Sequence, residues 1–202
     1  VCSSDLATGG SSDREVADAV REGRVEEKVV DLLVEEYLRT LDQIGIPDDA
    51  PDHFDEAAHH AFVRKAAQAA IVLLKNDAQL LPLAQGTRVA VIGDFAETPR
   101  YQGAGSSNVH SIRVDHALNC LKSSGLEVVG YEPGFLRHGG EDALKLAAAV
   151  ELSRRADVVL LFLGLDELAE SEGMDRITMK LRDNQVRLLQ AVSEANPHVA
   201  VV

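Results

Sequence analysis

A cluster of carboxylates follows the most apolar stretch of the chain, residues 157–164. Its members lie within ten positions: Asp166, Glu167, Glu170, Glu172 and Asp175. A carboxylic acid held beside apolar side chains, here Leu168 and Met174, and close to other carboxylates has a raised pKa, as a general acid requires. The adjacent Asp175-Arg176 sequence could supply a charge pair that fixes the loop. The same composition also suits a solvated acidic surface loop. The residues therefore indicate a candidate acid/base site, with plain surface as the alternative.

A second candidate is the glycine- and serine-rich stretch Gly103-Ala-Gly-Ser-Ser107, which follows the apolar run 88–93. It differs from the phosphate-binding loop Gly-x-x-x-x-Gly-Lys, and it does not follow the run directly as a dinucleotide fingerprint does. Three interpretations stay open. The stretch is a tight turn that needs glycine dihedrals, a surface that presents backbone amides and hydroxyls to a sugar, or a phosphate site.

The elements that must position these two loops alternate between strands and helices. Short apolar runs predict strands at 88–93, 127–131, 157–164 and 198–202. Helical spacing predicts helices at 55–74, 115–124, 141–155 and 183–195, the last of them capped by Asp183. This alternation implies an α/β protein, a three-layer α/β/α sandwich with a mostly parallel sheet. Both loops then follow the carboxyl ends of strands, where ligands gather in open α/β sheets.

The segments before the first strand are helical. Asp13 can cap a helix at 14–21 that Gly23 ends, and a second helix spans 25–44. Two prolines and two aspartates then break the pattern between residues 45 and 51, which places a boundary at about 45–54. The alanine-rich helix at 55–74 is expected to bury one face, formed by Ala58, Phe62, Ala66, Ala69, Ala70 and Leu73.

Composition excludes some classes of partner. The 202 residues carry a formal net charge of −13, which repels nucleic acid and anionic membranes. No apolar run reaches the roughly 20 residues that a membrane span needs. Cys2 lies in a polar tail and Cys120 in an apolar helix, so neither a disulfide nor a metal site is expected. The first residue is Val1 and no signal-peptide pattern follows it, so we expect that the true N-terminus is absent and leave the compartment undecided, with the cytoplasm favoured.

Three segments, in order, resemble glycoside hydrolase family 3. Arg64 to Asn76, followed by Leu-Pro-Leu at 81–83, is similar to the family's entry into its second domain. Val89-Ala-Val-Ile-Gly93 with the glycine-serine stretch is similar to that domain's first strand and its Gly-x-Gly-Ser loop. Glu170-Ser-Glu-Gly-Met-Asp-Arg176, with Leu181 and Gln185, resembles the segment Glu-x-Glu-Gly-x-Asp-Arg…Leu-Pro-x-x-Gln. One departure is plain, since Arg182 stands where the family normally has proline.

The resemblance implies a retaining glycosidase of the β-glucosidase type, with two carboxylates and no cofactor or metal. An aspartate of a barrel domain attacks the sugar, and a glutamate of the second domain is the acid/base. Motif matching assigns that role to Glu172, with Glu170 as second choice. Gly105, Ser106 and Ser107 would border the cleft. The substrate would be an oligosaccharide or an aryl or alkyl β-glycoside, with β-glucosides the default and xylosides or arabinosides next.

The same resemblance divides the chain. We expect a disordered tail at 1–12, the closing helices of a truncated (β/α)₈ barrel at 13–45, a linker at 46–54 and a C-terminally truncated α/β sandwich at 55–202. The chain has no tryptophan and so no Ser-Asp-Trp nucleophile segment, which implies a fragment that is inactive alone and works with its own barrel domain. Two other classes remain as alternatives, a flavodoxin-like nucleotide-binding domain and a non-catalytic interaction domain.

Overall fold

The computed structural model describes residues 13–44, 53–106 and 108–202. Internal contacts divide the chain into two units, Val1–Ala61 and Phe62–Val202. The expected tail at 1–12 and most of the expected linker lie outside the described residues.

In the first unit the described residues form helices α1 (Asp13–Arg21) and α2 (Glu27–Ile44), followed by the start of a third helix at Glu56. Gly23 adopts a positive φ of 70°, and the N–H groups of Gly23 and Arg24 donate to the carbonyls of Val20 and Ala19 at 3.0 and 2.8 Å. These bonds satisfy carbonyl groups that the end of a helix leaves free, so Gly23 ends α1 as its sequence predicts. No residue of α2 is buried. No helix in the described ranges is long and apolar enough to cross a bilayer.

Helix α3 (Glu56–Ala70) is shorter and more exposed than its sequence predicts. Asp55 accepts a hydrogen bond from the N–H of Ala58 at 2.9 Å, which starts the helix. The helix ends before the β-branched pair Ile71-Val72, whose side chains lose rotamer freedom in a helix. The residues expected to be buried are all exposed: Ala58, Phe62, Ala66, Ala69, Ala70 and Leu73. That prediction is wrong because helical spacing identifies an apolar face but does not show whether another part of the protein packs against it.

The second unit is built on a four-stranded parallel sheet. Its strands are β1 (Arg88–Ile92), β2 (Glu127–Glu132), β3 (Val158–Leu161) and β4 (Val199–Val201), in the order β2-β1-β3-β4. The predicted strand at 157–164 is longer than β3, although the N–H groups of Phe162 and Leu163 still donate to Ile92 and Val202. The mostly parallel sheet inferred from the alternation is confirmed.

Helices cover both faces of this sheet. They are α4 (Ala117–Leu121), α5 (Ala143–Ser153) and α6 (Asp183–Ala195). One face carries the main core, in which strand residues pack on α5 and α6: Ala90, Ile92, Val159, Leu161, Ala149, Leu152, Leu188 and Val192. On the other face Val91 packs on Leu118 of α4, and Val89 and Leu160 pack on the segment around Leu83. The fold is therefore the expected three-layer sandwich.

The two helices of the main core begin in different ways. Asp142 caps α5, because its carboxylate accepts hydrogen bonds from the N–H groups of Leu144 and Lys145 at 3.1 and 3.0 Å. At α6 the N-cap is Arg182 and the cap makes no side-chain hydrogen bond. The prediction that Asp183 caps α6 is wrong, since Asp183 is already the first helical residue. Arg182 takes the extended cap conformation while its side chain pairs with another loop.

Candidate active site

The candidate site lies beyond the carboxyl ends of β1 and β3, in the loops that leave these adjacent strands. Gly93 ends β1 with a φ of 115°, and a Cβ there would lie 2.1 Å from the carbonyl oxygen of Phe162. Only glycine lets the segments that follow β1 and β3 leave the sheet this close together. The glycine-serine stretch and the acidic stretch therefore start side by side, although about 70 residues separate β1 from β3 in the sequence.

Glu172 is held by the glycine-serine loop. Its Oε2 atom accepts hydrogen bonds from the backbone N–H of Ser106 at 2.7 Å and from the Ser106 hydroxyl. The N–H of Glu172 donates to the carbonyl of Ala104 at 3.1 Å. Gly105 has a φ of 101°, and a Cβ there would lie 2.7 Å from the Cβ of Glu172. The structure thus brings Gly105, Ser106 and Glu172 together, while Ser107 lies outside the described residues.

The electrostatics of Glu172 differ from the sequence-based expectation. The hydrogen bonds from Ser106 stabilise the ionised form and lower the pKa of Glu172, whereas the acidic stretch was expected to raise it. The apolar surroundings assumed for that increase do not form, because Leu168 and Met174 are exposed. The expected Asp175–Arg176 pair does not form in the described residues either, and Arg176 donates to the carbonyl of Thr178. Glu172 is a solvent-exposed carboxylate in this structure.

Glu170 is engaged by a cation that the sequence analysis missed. Arg100 donates from Nη1 to Oε2 of Glu170 at 3.1 Å and from Nη2 to the Glu170 carbonyl at 2.9 Å. The Arg100 side chain is only 17% exposed, so the pair ties the acidic loop to the loop after β1. A signal was available, because Arg100 is the only cationic residue between Asp94 and Asn108.

Arg137 connects three loops at the same end of the sheet. Its guanidinium makes two parallel hydrogen bonds to Glu167, at 3.0 and 2.6 Å, and one to Asp94 at 2.5 Å. It also lies 4.6 Å from the ring centroid of Phe95. The arginine lowers the pKa of Glu167 to about 2, so Glu167 serves as a structural anion.

Asp166, the first carboxylate of the acidic stretch, is fully buried. Both of its oxygens accept from Arg182, with Nη2 at 2.9 Å from Oδ1, and the N–H groups of Leu168 and Ala169 donate to it at 2.9 and 3.2 Å. These donors, Arg182 first, hold the pKa of Asp166 well below its usual range. Arg182, which departs from the family pattern, is therefore the counter-ion of a buried charge.

One trio could offer ligands to a metal ion. His138, Asp166 and Glu167 have ligand atoms within 4.8 Å of one another. Both carboxylates are already neutralised by arginines, because Arg182 pairs with Asp166 and Arg137 with Glu167. A cation would have to displace those guanidinium groups, so the donor set does not suit one.

A cleft of about 420 Å³ lies where the two loops meet. Its lining combines both candidate glutamates with backbone and hydroxyl groups: Arg100, Gly103, Ala104, Ser106, Glu170, Ser171 and Glu172. A larger groove of about 650 Å³ borders the start of α6, and its lining includes Asp175 but neither Glu170, nor Glu172, nor the described residues of the glycine-serine loop. The smaller cleft can therefore present one paired and one unpaired carboxylate to a ligand.

The match to a family model decides the classification. Residues 71–202 match the C-terminal domain of glycosyl hydrolase family 3. The chain belongs to this family. The match contains the glycine-serine loop and the acidic loop in full, so the resemblance drawn from their motifs is confirmed.

Individual relatives agree with the family match. The chain is 35% identical over 196 residues to thermostable beta-glucosidase B of Acetivibrio thermocellus, covering 96% of this chain and 26% of that protein. It is 38% identical over 202 residues to an exo-alpha-(1->6)-L-arabinopyranosidase of Bifidobacterium breve, covering 95% and 27%. The crystal structure of a family 3 beta-glucosidase from Bifidobacterium adolescentis superposes with a TM-score of 0.71 at 40% identity, covering 94% and 28%. The chain thus spans about a quarter of the length of these relatives.

Proposed function

We propose that this chain is the part of a retaining β-glycosidase that supplies its acid/base carboxylate, and that Glu172 is this carboxylate. The observation that carries the proposal is the position of Glu172. It lies on the lining of a cleft at the carboxyl ends of parallel strands, fixed by the Gly-Ser loop that the family motif shares. In this region of an α/β sheet, side chains from neighbouring loops converge on a ligand.

In the first step of this mechanism Glu172 gives its proton to the glycosidic oxygen while the bond from that oxygen to the anomeric carbon breaks. An aspartate carboxylate bonds to the anomeric carbon on the opposite face. In the second step Glu172 takes a proton from water, the water oxygen bonds to the anomeric carbon, and the aspartate leaves. The resemblance assigns that aspartate to a barrel domain, which fits the quarter of the relatives' length that this chain spans.

The contacts of the two glutamates support Glu172 over Glu170. The carboxylate of Glu170 is occupied by an ion pair with Arg100, whose guanidinium group would have to be displaced before Oε2 could reach a substrate. Glu172 has no cationic partner among the described residues, and its second oxygen, Oε1, accepts no hydrogen bond there. A carboxylate with one oxygen held and the other open can exchange a proton with a ligand.

The substrate we propose is a neutral oligosaccharide, or an aryl or alkyl glycoside, with a terminal β-linked glucosyl residue. Xylosides and arabinosides are the next candidates, and one relative is named as an arabinopyranosidase. A nucleotide ligand fits this cleft less well, because the Ser106 N–H that would have to bind a phosphate already donates to Glu172. The net charge of −13 also opposes an anionic ligand.

The deciding experiment is Glu172→Gln in the full-length enzyme. A general acid matters most for a poor leaving group, so cleavage of cellobiose should slow by about 10²–10⁴-fold. Formation of the glycosyl-enzyme from a dinitrophenyl glucoside should change far less. Breakdown of that intermediate should slow, because glutamine cannot activate water. Added azide should restore the rate of breakdown, because it attacks the anomeric carbon without a general base, and the product should be glucosyl azide.

Glu170→Gln is the matched control, since it makes the same change two residues away in the same loop. Leaving-group dependence and azide rescue at Glu170 alone would mean that the roles of the two glutamates are reversed. Their absence from both variants would identify the acidic loop as a non-catalytic surface.

A further inference from the structure

The carboxylate of Glu172 is held unequally at its two oxygens. Oε2 accepts two hydrogen bonds, both from Ser106, one from the backbone N–H and one from the hydroxyl. Oε1 accepts none among the described residues, and the side chain is exposed. A single residue, 66 positions earlier in the chain, therefore fixes which oxygen is held and which is left without a hydrogen bond among the described residues.

Backbone geometry makes this arrangement possible. Gly105 adopts a φ of 101°, which L side chains rarely adopt, and a Cβ there would lie 2.7 Å from the Cβ and 2.9 Å from Oε2 of Glu172. The N–H of Glu172 donates to the carbonyl of Ala104 at 3.1 Å, so the two loops are also joined through the backbone. Ser106 thus presents both donors to one oxygen because the residue before it has no side chain.

We propose that Ser106 is the positioning residue for Glu172: it anchors Oε2 through its N–H and hydroxyl, so that Oε1 is the oxygen that exchanges the proton with substrate and with water. This inference rests on the proposed function for its consequences in catalysis. When Glu172 is protonated, the proton lies on Oε1, and Oε2 continues to accept from Ser106. The proton then passes from Oε1 to the glycosidic oxygen as that bond breaks, and Oε1 recovers a proton from the attacking water.

The first test measures the carboxylate itself and needs no turnover. The side-chain carbon of Glu172 in the ¹³C-glutamate-labelled chain, assigned with Glu172→Gln, is titrated by NMR. Because the Ser106 hydroxyl stabilises the ionised form, the midpoint should lie below the ordinary value of about 4.3 and rise in Ser106→Ala. Ser106→Thr keeps the hydroxyl and should titrate like the wild type. Ser123→Ala, which removes an exposed serine hydroxyl elsewhere, is the matched control and should leave the midpoint unchanged.

The second test follows catalysis in the full-length enzyme. Loss of the anchor should lower kcat for cellobiose by about 10–100-fold, as a small misplacement of a reacting group does, with less effect on KM. The alkaline limb of kcat/KM should move to higher pH in Ser106→Ala, because protonated Glu172 would persist to higher pH. Ser106→Thr should restore both properties.

The two tests separate the two proposals. If the titration midpoint of Glu172 shifts in Ser106→Ala but the wild-type enzyme has no glycosidase activity, the positioning role of Ser106 is supported and the proposed function is overturned. An active enzyme in which neither the Glu172 midpoint nor the alkaline limb responds to Ser106→Ala would overturn the anchor and leave the function standing. A folded Ser106→Ala chain is recognised by an unchanged amide spectrum away from the two loops.

Discussion

At the scale of single residues, the departure at position 182 has a structural consequence. Arg182 donates to both oxygens of Asp166, which is completely buried, while the arginine itself remains 29% exposed. A buried carboxylate without a counter-ion costs far more than the pair contributes, because its lost hydration is not replaced. Asp166 also accepts backbone hydrogen bonds at the start of the acidic loop, so the pair fixes the segment that leads to Glu170 and Glu172.

Replacement of Arg182 by leucine should therefore destabilise the fold. We expect the free energy of unfolding to fall by about 2–3 kcal/mol, somewhat less than for a fully buried pair because Arg182 is partly exposed. Urea unfolding at pH 7 measures the loss. The control is Arg154→Leu, which breaks an exposed ion pair with Glu151 and should cost no more than about 0.5 kcal/mol. Equal losses in the two variants would contradict a special role for the buried pair.

The same pair predicts a pH dependence. The pKa of Asp166 is lowered in the folded state, so as pH falls the unfolded chain takes up a proton on this group before the folded chain does. The stabilisation is complete above the unfolded value of about 4 and is lost below it. The difference in unfolding free energy between wild type and Arg182→Leu should accordingly narrow as pH falls below about 4. A difference that stays constant from pH 7 to pH 3 would show that Asp166 is not the group involved.

At the scale of secondary structure elements, the two core helices differ in what starts them. Asp142 satisfies two N–H groups at the start of α5, whereas Asp183 makes no capping bond at α6. The start of α6 is held instead by Gln185, which is fully buried. Its amide exchanges two hydrogen bonds with the backbone of Gly164 just beyond β3, at 3.0 and 2.8 Å. The family motif contains this glutamine, and the structure gives the reason: it attaches α6 to the strand that leads into the acidic loop.

Alanine at the two aspartates tests that difference. Asp142→Ala should lower the free energy of unfolding by about 1 kcal/mol, the usual cost of a lost N-cap. Asp183→Ala removes only a charge near the positive end of the helix dipole and should cost at most about 0.5 kcal/mol. Chemical denaturation of both variants under one set of conditions gives the comparison. A larger loss of unfolding free energy in Asp183→Ala than in Asp142→Ala would show that Asp183 caps α6 after all.

At the scale of the whole molecule, the proposed mechanism needs two carboxylates on opposite faces of the sugar, and we assign one of them to this chain. The purified 202-residue chain should therefore show no turnover of p-nitrophenyl β-glucoside, because no glycosyl-enzyme can form without the second carboxylate. Thermostable beta-glucosidase B of Acetivibrio thermocellus, a relative of the chain, is a positive control for the assay. Cooperative urea unfolding would show that the chain is folded. Turnover that disappears in Glu172→Gln would mean that the nucleophile also lies within these residues.

The amino-acid sequence by itself determined the order and type of the elements in the second unit, the parallel sheet and the family. These follow from local patterns: apolar runs of strand length, helical spacing, and the contiguous motif around Glu172. The glycine-serine loop was also identified from sequence, because glycine and serine stand at adjacent positions.

Only the tertiary structure decided what each polar group faces. The partners Arg100–Glu170, Arg137–Glu167 and Arg182–Asp166 lie between 16 and 70 positions apart, and no local pattern records such distances. The pKa of Glu172 is lowered, opposite to the increase expected from sequence, for the same reason: it depends on two donors from Ser106 in a distant loop. Residue spacing establishes which side chains share a face, whereas burial and charge compensation depend on what the folded chain places against that face.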